Sequence, residues 1–534
     1  MPAQLILAPI GAGKTEAVIR ELARTLDSAS FPGAWALLAS TRQENAFRER
    51  LVRFAAERPV YFHIEFFNFY TLYARLLDSA GQPQRELDDT SRHRLLRVIL
   101  GQLSASGQLE LYHPIATTSG FVQIVAQFIY ELKQNLVTPL AFERAARIGS
   151  AKDRDLYRIY DAYQRMLQQY SLVDREGMGW LALEALQSSN RLAQEVELLV
   201  VDGFDQFNWL QARLLAALSG RVRRMIVTLP WLATPGTAAG RRFEQARQRL
   251  QAAFKDAGQR LLVETLTAEA VRPPALADSL DSPAPPRPSD GCLRLIEAPD
   301  AAQEAAAVLR RVKRLLRDGC RPDDVLIAVR DWEQYGRPLA EQGRAYGLPL
   351  ALHYGERLAD NPAIIALLSL LLLPGTNYRR RDLLDVLRSP YFEIPGLSQE
   401  AVAALARISQ KRRVIADPQA WLDALRTAPP SLADDDEESE AASAAADPDV
   451  AWALEAWFAA LTPPPLATPA DYIAWLERLI GPDVVNDPDE EAEAGTVTYS
   501  LRLLARVRQG RNGRDLAALA ELKRILRSLL AAQT

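Results

Sequence analysis

Lys14 and Thr15, with Gly11 and Gly13 just before them and Asp202 far downstream, are residue types that can together hold a polyphosphate and its metal ion. A lysine ammonium reaches the β- and γ-oxygens, and a threonine hydroxyl and a carboxylate hold Mg²⁺. Backbone N–H groups of a glycine loop at a helix N-terminus cradle the phosphates. The stretch 5–15, LILAPIGAGKT, has the spacing G-x-x-x-x-G-K-T, with Ala8 at the first glycine position. That position opens the loop, far from the transferred phosphate, so alanine is tolerable there.

Such a loop needs a buried strand before it and a helix after it. Leu5, Ile6 and Leu7 supply the strand, and 16–26 carries Ala17, Val18, Leu22 and Leu26 at helical spacing. A chance glycine turn before a helix would not bring strand, loop, Gly-Lys-Thr and helix into register. The second half of the site is expected at 197–202, ELLVVD, an apolar strand that ends in Asp202. An aspartate there would hold Mg²⁺ through water, opposite Thr15. In an active ATPase of this kind the next residue is a glutamate that polarises the attacking water, but here it is Gly203. The nearest downstream carboxylate is Asp205, in an irregular loop. Glycine cannot abstract a proton, so nucleotide binding with weak or absent hydrolysis is expected.

Alternation of strands and helices continues around these residues. Strands are expected at 34–39, 60–66 and 224–229, and helices at 44–56, 67–77 and 240–257, which argues for a parallel α/β sheet with ligands at the strand C-terminal ends. Thr41, Phe69 and Tyr70 fall just past such ends, where aromatic rings can stack on nucleobases; the neighbouring aromatics could equally pack under the sheet. Between 88 and 190 the pattern is helical, with apolar stripes in 91–103, 120–136 and 153–170 and no convincing strand, which marks an insertion.

Prolines at 273, 274, 283, 285, 286 and 288 make 271–290 a semi-rigid linker and the expected domain boundary. Beyond it a second α/β unit is expected, with strands 293–297, 325–329 and 350–353 and helices 301–317, 332–346 and 362–373. Arg330 ends the middle strand. It could stabilise γ-phosphate charge across a cleft, or simply lie at the surface. From 378 to 534 the pattern is helical again, interrupted by acidic, alanine-rich stretches at 433–449 and 487–493 that read as solvated loops.

Composition excludes several classes. A length of 534 residues with 48% hydrophobic and 24% charged residues suits a multi-domain globular chain, and a net charge of −4 argues against a uniformly basic nucleic-acid coat. Cys292 and Cys320 are too few for a disulfide framework, a four-cysteine zinc site or an iron–sulfur cluster, and suit a reducing compartment. His63, His93, His113 and His353 have no ligand spacing. The longest apolar run, 364–373, is too short to span a bilayer, and no secretory signal is recognised at 1–14, so a cytoplasmic protein without membrane attachment is expected.

With these motifs in hand, the chain resembles the helicase-like B subunit of AddAB-type (RexAB-type) helicase–nucleases, within the Rep/UvrD superfamily 1 fold. APIGAGKT is similar to that superfamily's first motif. VDGFDQFNWLQ is similar to its second, VDEFQDTNxxQ, with Asp202, Phe204, Asn208 and Gln211 in place. The B-subunit pattern also has aspartate-glycine-phenylalanine where the catalytic pair belongs. GFVQIVAQFIYELKQNLVTP with DRDLYRIYDAYQRMLQQYSLVD resembles the B subunit's first inserted domain. EAPDAAQEAAAVLRRVKRLLRDGCRPDDVLIAVRDWEQY resembles the opening of the second motor-like domain, with Arg330 at the fourth-motif arginine.

The resemblance implies two RecA-like parallel-sheet P-loop domains, each with a helical insertion. The first would comprise 1–87 and 191–270 with the insertion 88–190. The second, partial, would comprise 291–375 with the insertion 376–534. It implies ATP and Mg²⁺ at Ala8, Gly11, Gly13, Lys14, Thr15 and Asp202, with Arg330 approaching the γ-phosphate. It also implies single- and double-stranded DNA as partners, crossing near Thr41, Phe69 and Tyr70, an A-type motor subunit, and a role in double-strand break repair. The glutamine-containing adenine-recognition segment and the cysteine-ligated nuclease domain of the family have no counterpart in these residues, so no nuclease activity is expected of this chain. Two alternatives remain open: a working ATP-driven translocase in which Asp205 replaces the missing base, and a scaffold that binds DNA and a motor without nucleotide.

Overall fold

Continuous apolar runs fold into a parallel sheet when helices can cover both of its faces, and 3–266 does this. The computed structural model describes residues 3–27, 33–54, 63–231, 238–266, 294–352, 357–392, 394, 396–426, 448–481 and 513–531. The linker 271–290, acidic residues 433–447 and 487–493, Cys292 and His353 lie outside them. The chain divides into two units, Met1–Leu293 and Arg294–Thr534.

The first unit opens with β1 (Ala3–Ala8), α1 (Lys14–Leu26), β2 (Gly33–Leu38), α2 (Thr41–Phe54), β3 (Ile64–Phe67) and α3 (Phe69–Ser79). There follow β4 (Arg85–Glu86), α4 (Asp89–Ala105), α5 (Ser119–Gln134), α6 (Pro139–Arg147), α7 (Ala151–Gln169), β5 (Leu172–Val173) and α8 (Arg175–Ser188). The chain then returns to the sheet with β6 (Val196–Asp202), α9 (Trp209–Ser219), β7 (Arg224–Pro230), α10 (Ala238–Asp256) and β8 (Leu261–Thr265). Six strands pair in the order β3-β2-β6-β7-β1-β8, all parallel.

Alternate residues of each strand face opposite ways. Leu5, Leu7, Trp35, Leu37, Leu199, Val201, Met225 and Val227 join one core with α3, α8, α9 and α10. Ile6, Ala34, Ala36, Leu198, Val200 and Ile226 join the other, with Val18, Ile19 and Leu22 of α1 and Phe47 and Leu51 of α2.

Three details depart from expectation. β8 has no counterpart among the expected strands; it is an edge strand whose Leu262 and Val263 stay exposed, so it lacks the buried signature of its neighbours. A short ladder between Arg85–Glu86 and Leu172–Val173 closes the helical segment, where no strand is expected. And α8, which falls within the expected insertion, lends Met178, Ala182, Leu183 and Leu186 to the core beneath the sheet.

In the second unit α11 (Ala301–Arg317) and α12 (Trp332–Ala345) pair, followed by α13 (Pro362–Leu372), α14 (Arg380–Leu387), α15 (Gln399–Lys411), α16 (Pro418–Arg426) and the helices Pro448–Leu461, Pro469–Ile480 and Gly513–Ala531. Trp421 is fully buried and its indole donates to the Tyr378 carbonyl at 2.9 Å. Asp515 ties the last of these helices to the start of α13 by accepting from Asn361 at 2.9 Å.

The second sheet is not formed among the described residues: 294–297, 325–329 and 350–352 carry no ladder. Ile327, Val329 and Leu350 pack on Ala305, Leu309 and Leu339, while Leu295 and Leu326 are 94% and 69% exposed. Parallel strands need cover on both faces, and among the described residues these runs are packed on one. No helix among the described residues is long and apolar enough to cross a membrane.

The helical segment of the first unit is fastened by buried charge. Asp155 of α7 accepts the backbone N–H groups of Glu110, Leu111 and Tyr112 at 3.0, 2.8 and 3.1 Å. Asp174 caps α8 through the Gly177 N–H at 2.8 Å, pairs with the buried Lys133 ammonium, and accepts from the Tyr163 hydroxyl at 3.0 Å. Beside it Glu176 is 2% exposed, and neither carboxylate oxygen has a hydrogen-bond partner. Burial, reinforced by the Asp174 charge and opposed by Lys133 and Arg92, pushes its carboxyl from 4.5 up to about 7.

Below about pH 4.5 folded and unfolded chains both hold this proton. Between there and about 7 the unfolded chain releases it first, so stability falls as pH rises, and the deficit is complete above about 7. Glu176→Gln is therefore expected to raise stability by about 1–3 kcal/mol at pH 8 and to change little at pH 4. Urea unfolding at both pH values checks this, and equal shifts would contradict it.

Candidate functional site

The site is built where β1 and β6 end. Gly11 and Gly13 both adopt positive φ, +83° and +82°, which L side chains rarely adopt. Gly13 forms the left-handed N-cap of α1, and a Cβ added to it would meet nothing within 4 Å, so the loop borders open space. Ala8, at the position where a glycine would be usual, is fully buried, and its carbonyl accepts from the Trp231 N–H at 2.9 Å. The methyl group is accommodated inside the sheet, away from that space.

Lys14 and Thr15 are the first two residues of α1. The Lys14 ammonium donates to the Pro9 carbonyl at 3.3 Å. Burial lowers its pKa from the usual lysine range, and the Asp202 carboxylate works against that shift. The Thr15 hydroxyl donates to Asp202 Oδ2 at 2.8 Å, although the two residues are 187 positions apart. Thr228 of β7, 1% exposed, donates to Asp202 Oδ1. Asp202 is itself 4% exposed, so both of its oxygens are satisfied by hydroxyls that β7 and α1 bring to the end of β6.

Gly203 follows with φ +83°, a backbone conformation that favours glycine at this point. The Gln43 carboxamide of α2 donates to its carbonyl at 3.2 Å. Asp205 is ion-paired to Arg242 of α10 at 2.8 Å. Asn208 and Gln211 form a reciprocal capping box at the start of α9, Asn208 accepting from the Gln211 N–H at 2.8 Å and Gln211 from the Asn208 N–H at 3.1 Å. The second motif's polar residues thus hold the helix that fixes the loop after Asp202.

The aromatic candidates separate. Phe69 is 5% exposed and packed edge-on to Phe204 and Phe207, with ring centroids 5.2 and 6.4 Å apart, so its ring belongs to the core rather than to an open stacking surface. Tyr70 is 40% exposed, with the Arg175 guanidinium 5.4 Å from its ring centre. Thr41 is exposed and begins α2. Arg330 is exposed in the second unit, after the run 325–329. Lys14, Thr15, Asp202 and Gly203 are brought together in the first unit.

Sequence reasoning missed Thr228 and Gln43. A lone threonine inside the run RMIVTL was the available signal for Thr228; nothing in the sequence marks Gln43. Among the described residues no group of three or more His, Cys, Asp or Glu side chains is placed to hold a metal ion.

A parallel sheet with one strand between the loop-bearing strand and the carboxylate-bearing strand defines an α/β domain of the RecA-like class. Residues 5–269 match the family described as ADDB, N-terminal. Over this stretch, just under half of its length, the chain belongs to the AddB N-terminal family. It is 24% identical over 323 residues to the ATP-dependent helicase/deoxyribonuclease B subunit of Streptococcus suis, covering 58% of this chain and 29% of that one. The same-named protein of Moorella thermoacetica is 26% identical over 398 residues, 68% and 33% of the two chains. That of Anoxybacillus flavithermus is 22% identical over 420 residues, 73% and 36%. The stretches matched are about a third of the length of these relatives.

The buried carboxylate gives one direct expectation. Thr228→Val, similar in shape but without the hydroxyl donor, should cost about 1.5–3 kcal/mol, the range for hydrogen bonds to charged groups. A urea midpoint equal to that of the parent chain would contradict the contact.

Proposed function

We propose that the first unit binds Mg²⁺-ATP at a P-loop and that the chain serves as a DNA-binding portion of a helicase–nuclease acting in double-strand break repair, with little or no hydrolysis of its own. The observation that carries this reading is the Thr15–Asp202 hydrogen bond at 2.8 Å, which joins loop and carboxylate in the arrangement a magnesium-bound triphosphate requires. The open space at Gly13 and the neighbouring Lys14 ammonium fit the phosphates. When bound, the ion would supply charge neutralisation of the phosphates. Lys14 would contact phosphate oxygens, and Thr15 and Asp202 would hold the ion.

Hydrolysis needs a base beside Asp202, and Gly203 offers none. The rival reading, a translocase using Asp205, is disfavoured by the Arg242 ion pair, which engages that carboxylate elsewhere. A scaffold without nucleotide leaves the two positive-φ glycines and the Lys14–Thr15 pair without a purpose. The relatives named above are parts of a helicase/deoxyribonuclease by name, which supports an A-type motor partner and DNA as ligands of this chain. Single-stranded DNA would pass near Thr41 and Tyr70, the exposed members of the expected set. Cytoplasmic residence accords with that role.

Calorimetry with ATP and Mg²⁺ tests the nucleotide reading. Lys14→Ala should weaken binding at least about tenfold, as expected for a lost charge-assisted contact. Unchanged affinity would remove Lys14 from the site. For DNA, Tyr70→Ala should weaken single-strand binding by about 1–2 kcal/mol in fluorescence anisotropy. Phe69→Ala should instead lower stability by about 3–5 kcal/mol. Unaltered DNA binding by the tyrosine variant would move the strand's path elsewhere.

A further inference from the structure

Position 203 has no side chain, but the space beside it is filled. A Cβ built on Gly203 would lie 2.5 Å from Gln43 Oε1, 2.9 Å from its Cδ and 3.1 Å from its Nε2, the first two closer than side chains approach one another. The carboxamide is held there, because Nε2 donates to the Gly203 carbonyl at 3.2 Å. Its backbone is set by the first turn of α2, where the Gln43 N–H donates to Ser40 Oγ at 3.3 Å. Gln43 is nonetheless exposed, so the amide stands at a surface and not in a sealed core. The residue just before Gly203 is Asp202, whose carboxylate accepts from Thr15.

We propose that Gln43 replaces, from another element, the side chain missing at 203, and that its carboxamide recognises the terminal phosphate of the bound nucleotide. The inference rests on the nucleotide reading above. A carboxamide uses one N–H on the Gly203 carbonyl and keeps a second N–H and an acceptor oxygen. It can therefore donate to a phosphate oxygen. Unlike a carboxylate, it cannot take a proton at neutral pH. Such a residue distinguishes triphosphate from diphosphate without assisting cleavage, which suits a site that senses nucleotide rather than consumes it. It also gives glycine a role at this position: any side chain at 203 would displace the amide as well as strain a backbone at φ +83°.

Two measurements on the full chain test this. In calorimetry with Mg²⁺, Gln43→Ala should weaken ATP binding about tenfold and leave ADP binding unchanged. Equal ATP-to-ADP ratios in parent and variant would overturn the role of Gln43 alone. A parent chain that binds neither nucleotide would overturn the nucleotide reading and this inference with it. In thermal unfolding without nucleotide, Gly203→Ala should lower Tm, and adding Gln43→Ala should restore part of the loss. Strictly additive losses would show that the amide does not occupy the space beside 203. The Gln43→Ala chain must keep its own Tm near that of the parent, because an exposed amide contributes little to the core; a large drop would make Gln43 a structural residue and overturn its assignment to phosphate.

Discussion

A buried carboxylate at the end of a parallel strand is the constraint on which the first unit depends. Asp202 is 4% exposed, and a charge so placed is tolerated only when its oxygens are satisfied. The donors are Thr15, at the head of α1, and Thr228, on the strand that separates β6 from β1. Meeting both fixes the register of β1, β7 and β6 and the height at which α1 leaves the glycine loop. The pairings of Leu5 with Val227 and of Val201 with Val227 are the backbone expression of the same alignment.

Function is proposed to follow from what surrounds that carboxylate. Two glycines in left-handed conformation let the loop turn ahead of α1, and Gly203 lets the chain turn away immediately after Asp202. The capping box of Asn208 and Gln211 and the aromatic cluster of Phe69, Phe204 and Phe207 then hold that turn against the sheet. In an ATPase the same turn would present a base. Here it presents a backbone carbonyl to Gln43, and the proposal that a nucleotide is held rather than cleaved rests on that difference.

Much of this was legible in the sequence because the signals were local. LILAPIGAGKT and ELLVVD are apolar runs ending in polar residues, and burial on both sheet faces makes them continuous. What the sequence concealed was contact between distant segments. Thr228 is one hydroxyl in an apolar strand, and Gln43 is one amide on a charged helix; only the sheet order brings them to Asp202 and Gly203. Phe69 and Tyr70 are adjacent aromatics of the same apparent promise, yet the helical phase of α3 buries the first and exposes the second. The runs 325–329 and 350–352 show the opposite failure, since apolar alternation there is satisfied by packing on α11 and α12 without a ladder.

The most direct measurement is the position of the metal itself. A crystal of the full chain grown with Mn²⁺ and a non-hydrolysable ATP analogue should give an anomalous peak between Thr15 Oγ1 and the Asp202 carboxylate, with the triphosphate in the loop around Gly13. A peak elsewhere, or a triphosphate bound away from this loop, would contradict the account.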